Sequence, residues 1–171
     1  MISAIVCVDK NWGIGYQGKL LASIPEDMRF FREKTINSVV IMGRKTYDSL
    51  SAKPLPYRLN IVVTSKINKP CEIRESNTMF VTMDFIKSFL KSISSESPMN
   101  YHIIGGGQIY NELLPYCDLA YVTKVDYAFR KVDTYFPNLD ELKNWEVWYE
   151  EASKDEERCN FEYKFCIYKK V

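Results

Sequence analysis

Apolar residues recur along this chain in two rhythms, and the change of rhythm marks its parts. Short, continuous runs rich in β-branched residues read as strands buried on both faces. They are Ile2–Val8 (ISAIVCV), Ser38–Met42 (SVVIM), Arg58–Thr64 (RLNIVVT), Thr78–Thr82 (TMFVT), the YHII before three glycines, and Leu119–Val125 (LAYVTKV). Between them the spacing becomes helical. Phe85, Ile86, Phe89, Leu90 and Ile93 share one face of a helix over Asp84–Ile93, opposite Lys87, Ser88, Lys91 and Ser92. Helices are also expected from Pro25 to about Lys34, briefly after Gly43, and over Gln108–Leu114. Asp9–Ile24 holds three glycines and no clear period, and reads as a long loop.

After Pro137 the period falls to two. Trp145, Val147 and Tyr149 alternate with Glu146, Trp148 and Glu150; Phe161, Tyr163, Phe165 and Ile167 alternate with Glu162, Lys164, Cys166 and Tyr168. A long antiparallel hairpin is predicted, with KDEER as its solvated tip. Alternating strands and helices closed by a hairpin predict one α/β domain over 1–171, with a mixed sheet that is parallel-rich at its centre.

One residue breaks the pattern. In SIPEDMRFF, Ser23 and Pro25 open a helix, and Ile24, Asp27, Met28 and Phe31 fall on one face. Three of these belong in a core; Asp27 does not. It is either a core aspartate satisfied by backbone or a carboxylate that meets a ligand.

Composition narrows the choices. A formal net charge of +1 over 171 residues leaves no broad basic field, so neither nucleic acid nor an anionic membrane is expected as a partner. No apolar run is long enough to cross a bilayer, and MISAIVCVDKNW reads as a first strand rather than a signal peptide. Five scattered cysteines without a CxxC suggest reduced thiols in the cytoplasm. The single histidine, His102, precedes Ile103-Ile104 and is read as a half-buried strand residue rather than a catalyst. No metal site is expected. With no surplus apolar face, a monomer is expected.

All seven glycines lie at or before Gly107. GIGYQG matches a dinucleotide fingerprint literally, but no helix begins behind it and no acid ends the next strand, so the match is accidental. The stretch is either a mobile lid or an inert loop. Gly43 and Gly105-Gly106-Gly107 each follow a buried strand and precede a helix, which places free N–H groups at the sheet's carboxyl edge. Arg44, Lys45 and Thr46 beside one turn, with Thr64, Ser65 and Lys66 ending a neighbouring strand, supply two sets of phosphate-binding groups. That suits a dinucleotide with an extra phosphate, NADPH.

Taken in order, MISAIV, the glycine loop around Ile14-Gly15, IPED, VIMGRKTYDSL, PLPYRLNIVVTS, IIGGGQIYNELLP, YVTKVD and DTYFP make the chain resemble the dihydrofolate reductases over nearly its whole length. The resemblance implies an eight-stranded mixed sheet and hydride transfer from NADPH to dihydrofolate. It also implies that folate-analogue inhibitors bind. Asp27 would bind the pteridine's amino group and ring N–H, with Thr123 as its hydroxyl partner. Ile5 and Ile104 would offer carbonyls, and Val6, Cys7 and Met28 would complete that pocket. Phe31, Leu50 and Leu55 would line the benzoyl site, and Arg58 would grip the glutamate α-carboxylate. Tyr110 would stand near the nicotinamide, and Ile14, Gly15 and Leu20 would belong to the loop that closes over it. Gly43, Arg44, Lys45, Thr46, Thr64, Ser65, Lys66, Cys7, Ile104, Gly105, Gly106, Gly107, Gln108 and Ile109 match cofactor-binding positions.

The implied chemistry needs a hydride on one carbon and a proton on the adjacent imine nitrogen. Asp27 would favour the protonated substrate, with water as the immediate donor. Three departures stand out: Leu21-Ala22 where many relatives carry Pro-Trp, Tyr47 where some carry Trp, and one extra residue in SAKPLP. A reductase of another heterocycle, of riboflavin-pathway type, and a non-catalytic NADPH-binding module are the alternatives. Asp27 with Arg58 argues against the first; Asp27, Thr123 and Tyr110 together argue against the second.

Overall fold

The computed structural model describes residues 1–153 and 160–171. Its strands are β1 (Ile2–Val8), β2 (Gly13–Tyr16), β3 (Lys19–Leu20), β4 (Val39–Gly43), β5 (Leu59–Val63), β6 (Cys71–Glu75), β7 (Thr78–Val81), β8 (Tyr101–Gly105), β9 (Leu119–Val125), β10 (Thr134–Tyr135), β11 (Trp145–Ala152) and β12 (Tyr163–Lys170). Its helices are α1 (Pro25–Thr35), α2 (Arg44–Ser49), α3 (Met83–Ser92) and α4 (Gly107–Leu113), the last running into a 3-10 turn over Leu114–Tyr116.

Nine strands form one sheet in the order β11-β12-β9-β1-β8-β4-β5-β7-β6. The centre, from β9 to β7, pairs in parallel. The hairpin β11–β12 and the edge strand β6 pair antiparallel. This is the mixed α/β sheet that the sequence leads one to expect, with one strand more than the family pattern implies. The addition is β6, CEIRE, whose charged residues conceal a strand held only by β7 on one side.

Alternate residues of the central strands serve opposite faces. Ile41, Ile61, Val63 and Ile103 pack on one face with Ile86 and Leu90 of α3 and Ile109 and Leu113 of α4. Val40, Met42, Val62 and Phe80 pack on the other with Tyr47 of α2. Both faces are covered, so these strands read as unbroken apolar runs. Ile41, Val40 and Ile103 are fully buried, and truncating such a side chain to alanine costs roughly 2–5 kcal/mol. The Thr82 hydroxyl caps α3 by accepting the Phe85 N–H at 3.2 Å.

Four expectations change. Gly13–Leu20 is not an irregular loop: β2 and β3 form a hairpin that pairs with β10 in a second, three-stranded sheet. These strands are short and glycine-containing, so no period announces them. His102 is fully buried rather than half-buried, because β8 lies between β1 and β4 under helices. Its Nδ1 is 2.7 Å from Ser3 Oγ. On β11 the alternation does not become burial: Val147, Trp148 and Tyr149 are all exposed, since the strand is the sheet's edge and its register slips between Val147 and Tyr149. The surface is therefore less uniformly polar than expected. Met28 is 53% exposed although Ile24 on the same stripe is buried, so the apolar stripe of α1 runs from the core to a margin open to solvent. The KDEER tip lies outside the described residues.

Cys117 and Cys166 are buried, the latter with its thiol against the Glu150 carboxylate at 3.7 Å, and burial pushes their thiols up to about 12 and about 11. Both are unreactive at neutral pH.

A carboxylate at a split in the sheet

The site begins where two strands part. β1 pairs with β8 only as far as Ala4 and Ile103, but with β9 as far as Val8 and Lys124. Beyond Ala4, β1 and β8 diverge. β8 also slips against β4, so that Met42 faces Gly105 and Ile104 is displaced. A crevice opens at the carboxyl ends of the strands, where open α/β sheets bind ligands. Tyr110 of α4 reaches into it, and its hydroxyl donates to the Ile5 carbonyl at 2.6 Å. Burial, then the nearby Asp27 carboxylate and Cys7, drive the phenol far above its ordinary range. It remains a proton donor, and a second lone pair of the Ile5 carbonyl is left for another donor.

Asp27 meets the crevice from α1. The Thr123 hydroxyl, on β9 between Cys7 and Phe165, donates to Asp27 Oδ1 at 2.5 Å. Burial raises the Asp27 pKa and the Thr123 hydrogen bond opposes that rise. Burial dominates, so this carboxyl takes a proton more readily than one in water. Its neighbour Glu26 is held separately, by the Tyr163 hydroxyl. Two consecutive residues of the first helical turn are thus tied to two adjacent strands. A groove on the other flank of α1, lined by Arg29, Glu33 and Phe165, does not include Asp27.

Under the β2–β3 hairpin, Cys7, Ile14, Leu20, Leu21 and Ala22 line one small cleft. Leu20 is 71% exposed, at the outer lip. Val6 is buried in the core beside this cleft. The hairpin is latched at its tip: Asp133 Oδ2 accepts the Gln17 N–H at 2.9 Å, and the Asp133 N–H donates to the Gly15 carbonyl at 3.1 Å. Asp133 opens the DTYFP stretch, but its tie to the hairpin tip emerges only from the pairing of β2 with β10.

The two glycine turns are neighbours. A Cβ on Gly43 would lie 2.9 Å from Ile109 and 3.9 Å from the Gly105 carbonyl, so close packing against α4 by itself requires glycine there. Gly105 has φ +115°, outside the reach of ordinary L residues, and a Cβ would lie 3.1 Å from the Tyr110 ring. A Cβ on Gly106 would lie 3.4 Å from Thr46 Oγ1, which sets α2 directly across from α4. Neither helix has a side-chain cap, in contrast to α3. Two sets of first-turn N–H groups therefore converge without internal partners, with Lys45 exposed beside them and Gln108 exposed on α4. Thr64 is buried and its hydroxyl accepts the Lys66 N–H at 3.1 Å; Ser65 and Lys66 are exposed. Arg44 departs from expectation. It pairs with Asp48, one turn along its own helix, at 3.1 Å, and lies over the Phe80 ring. Its charge at the positive end of a helix is offset locally.

At the far end of the crevice, Leu50 and Leu55 are half-buried against the Val40, Met42, Val62 and Phe80 cluster, and Phe31 is half-buried on α1. Arg58 is buried, its Nε donating to the Pro56 carbonyl at 3.0 Å. Burial, then Arg32, lowers its pKa. Two guanidinium groups thus face each other's field, a costly arrangement that an anion relieves. Asn60 organises this turn: it accepts the Leu55 N–H at 2.9 Å and donates to the Leu55 and Arg58 carbonyls. It is fully buried within β5 and was not among the residues the sequence singled out. An asparagine inside RLNIVV was the available signal.

A crevice at the carboxyl edge of a parallel sheet, holding a partly buried acid, a tyrosine and two uncapped helix starts, defines a nucleotide-dependent α/β oxidoreductase. The family model for dihydrofolate reductase matches residues 1–170. The dihydrofolate reductase of Bacillus subtilis (strain 168) is 36% identical, over 99% of this chain and 95% of its own. That of Buchnera aphidicola subsp. Acyrthosiphon pisum (strain APS) is 35% identical, over 97% of each. A solved dihydrofolate reductase from Enterococcus faecalis, complexed with NADP(H) and RAB-propyl, superimposes with a TM-score of 0.81 at 29% identity, covering 99% of this chain and 96% of that one. The chain belongs to the dihydrofolate reductase family.

Proposed function

We propose that this enzyme reduces 7,8-dihydrofolate to 5,6,7,8-tetrahydrofolate, with Asp27 as the acid that favours protonation of the substrate's imine nitrogen. The observation that carries the reading is the Asp27–Thr123 pair at the mouth of the β1–β8 split, with Tyr110 beside it. NADPH, when bound, supplies the hydride. The residues present fit that cofactor: the uncapped starts of α2 and α4 suit its phosphates, and the bare backbone at Gly105 and Gly106 leaves room for a close approach. Lys45, Thr46, Ser65 and Lys66 would hold the remaining phosphate charge, and Arg44 would join them by leaving Asp48.

The residues of this chain divide the work. Asp27 accepts hydrogen bonds from the amino group and ring N–H of the pteridine, and burial, which raises its pKa, makes it readier to hold a proton than a carboxyl in water. Thr123 orients it. Tyr110 braces the Ile5 carbonyl at the pocket wall, and the β2–β3 hairpin excludes bulk water. Phe31, Leu50 and Leu55 take the benzoyl ring. Arg58, with Arg32 in reach, takes the glutamate carboxylate. We also read the chain as a cytoplasmic monomer; no helix among the described residues is long and apolar enough to cross a membrane.

Following NADPH absorbance with dihydrofolate, and separately with a riboflavin-pathway intermediate, tests the substrate. Turnover is expected with the first alone. Asp27→Asn is expected to keep the fold and cofactor binding while losing on the order of a hundred- to ten-thousandfold in rate at neutral pH, with partial recovery in acid. Unchanged turnover would refute the role.

A further inference from the structure

A second carboxylate, outside the reaction above, ties down the start of the β2–β3 hairpin. Asp9 follows β1 directly and is 2% exposed. Its Oδ1 accepts the N–H of Asn11 at 2.9 Å and of Gly13 at 2.8 Å; its Oδ2 accepts the N–H of Phe129 at 3.1 Å. The first two bonds shape a local turn. The third joins that turn to the 126–136 segment, 120 residues further along the chain. Backbone bonds flank it, from Lys10 N–H to the Tyr127 carbonyl at 3.1 Å and from Phe136 N–H to the Trp12 carbonyl at 2.8 Å. Asp9 and Phe129 line the same cleft as Cys7, Ile14 and Leu20. The hairpin is thus held at both ends, by exposed Asp133 at its tip and by buried Asp9 at its base. Water competes more for the exposed Gln17–Asp133 bond than for the buried Gly13–Asp9 bond and the part-buried Asn11 and Phe129 bonds.

We propose that Asp9 is a positioning residue for hydride transfer. Its carboxylate locks the base of the hairpin to the 126–136 segment, and so sets where Ile14 and Gly15 stand over the crevice, while the Asp133 latch at the tip is the one exposed to solvent. The proposal rests on the reductase reading and deepens it.

Asp9→Asn separates the two functions of the carboxylate. The remaining oxygen keeps the Asn11 and Gly13 bonds, but the new NH2 meets the Phe129 N–H, donor against donor. Single-turnover hydride transfer is expected to slow by about tenfold or more, as small misplacements of reacting groups do. The KM for dihydrofolate should change by less than about twofold, because Asp27 and Arg58 are untouched. In the unaltered protein, without cofactor, amide hydrogen exchange at Gly13 and Phe129 should be much slower than at Gln17.

Asp9→Asn with a lowered melting temperature but an unchanged hydride-transfer rate would overturn the positioning role. So would Gly13 or Phe129 amides exchanging as fast as Gln17, a result that does not depend on the variant folding. Absence of dihydrofolate turnover in the unaltered protein would instead remove the reductase reading and the proposal with it. Asp9→Asn matching an active parent removes the proposal alone.

Discussion

Replacing Thr123 by valine isolates one hydrogen bond at the centre of the site. Thr123 is buried, and β-branched valine matches its shape on β9, so no cavity opens. What is lost is the hydroxyl donated to Asp27 Oδ1 at 2.5 Å. That bond stabilises the ionised carboxylate and opposes the rise that burial imposes. Hydrogen bonds to charged groups contribute about 1.5–3 kcal/mol, and one pKa unit corresponds to about 1.4 kcal/mol. Removing the donor should therefore raise the Asp27 pKa further, in the same direction as burial. Hydride transfer that requires the protonated ensemble should follow, its pH midpoint moving toward alkaline pH. Stopped-flow measurement of hydride transfer over roughly pH 5 to 9 reads that midpoint directly. In an Asp27→Asn background, Thr123→Val should leave the residual profile unchanged, because the coupling partner is gone. A midpoint that stays in place, or moves toward acid, in Thr123→Val alone would show that this hydroxyl does not govern the acid.

Two further perturbations test the frame around the site. His102 is held neutral by burial, which lowers its pKa from 6.5 to about 4 against the opposing pull of the Lys34 backbone. Between those values the unfolded chain binds a proton that the folded chain refuses, so stability is full above pH 6.5 and declines toward pH 4, by roughly 3 kcal/mol. Urea melts across that range should show the decline, and His102→Gln should flatten it. Gly105→Ala forces a side chain into φ +115° and against the Tyr110 ring. It should destabilise the fold by about 1–3 kcal/mol in denaturant melts and weaken NADPH binding by fluorescence titration.

Much of the architecture was legible along the chain, because its causes are local. Buried parallel strands must be continuously apolar, and ISAIVCV, SVVIM and LAYVTKV announce themselves within a residue or two of β1, β4 and β9. Pro25 with acids in the first turn marks α1, and the five-residue apolar face of α3 is as plain. Even the oddity of Asp27 was visible, since three- and four-residue spacing places it among apolar neighbours before any contact is known. The roles of Phe31, Leu55 or Arg58 were not legible from patterning; they came with the family resemblance.

Tertiary structure alone decided which of these residues meet. Asp27 finds Thr123 across 96 positions, and Tyr110 finds Ile5 across 105, because β1 lies between β8 and β9 and parts from β8 after Ala4. Sheet order is a global packing outcome that no local period encodes. The same reason hides β2, β3 and β6, short strands that exist only because a partner strand passes by. It also hides the buried oxygens of Asp9 and Asn60, whose donors lie on neighbouring turns. Burial is likewise collective: His102 lies deeper than its polar identity suggests because the sheet is covered over it, while Met28 remains exposed because its position on α1 lies at an open margin.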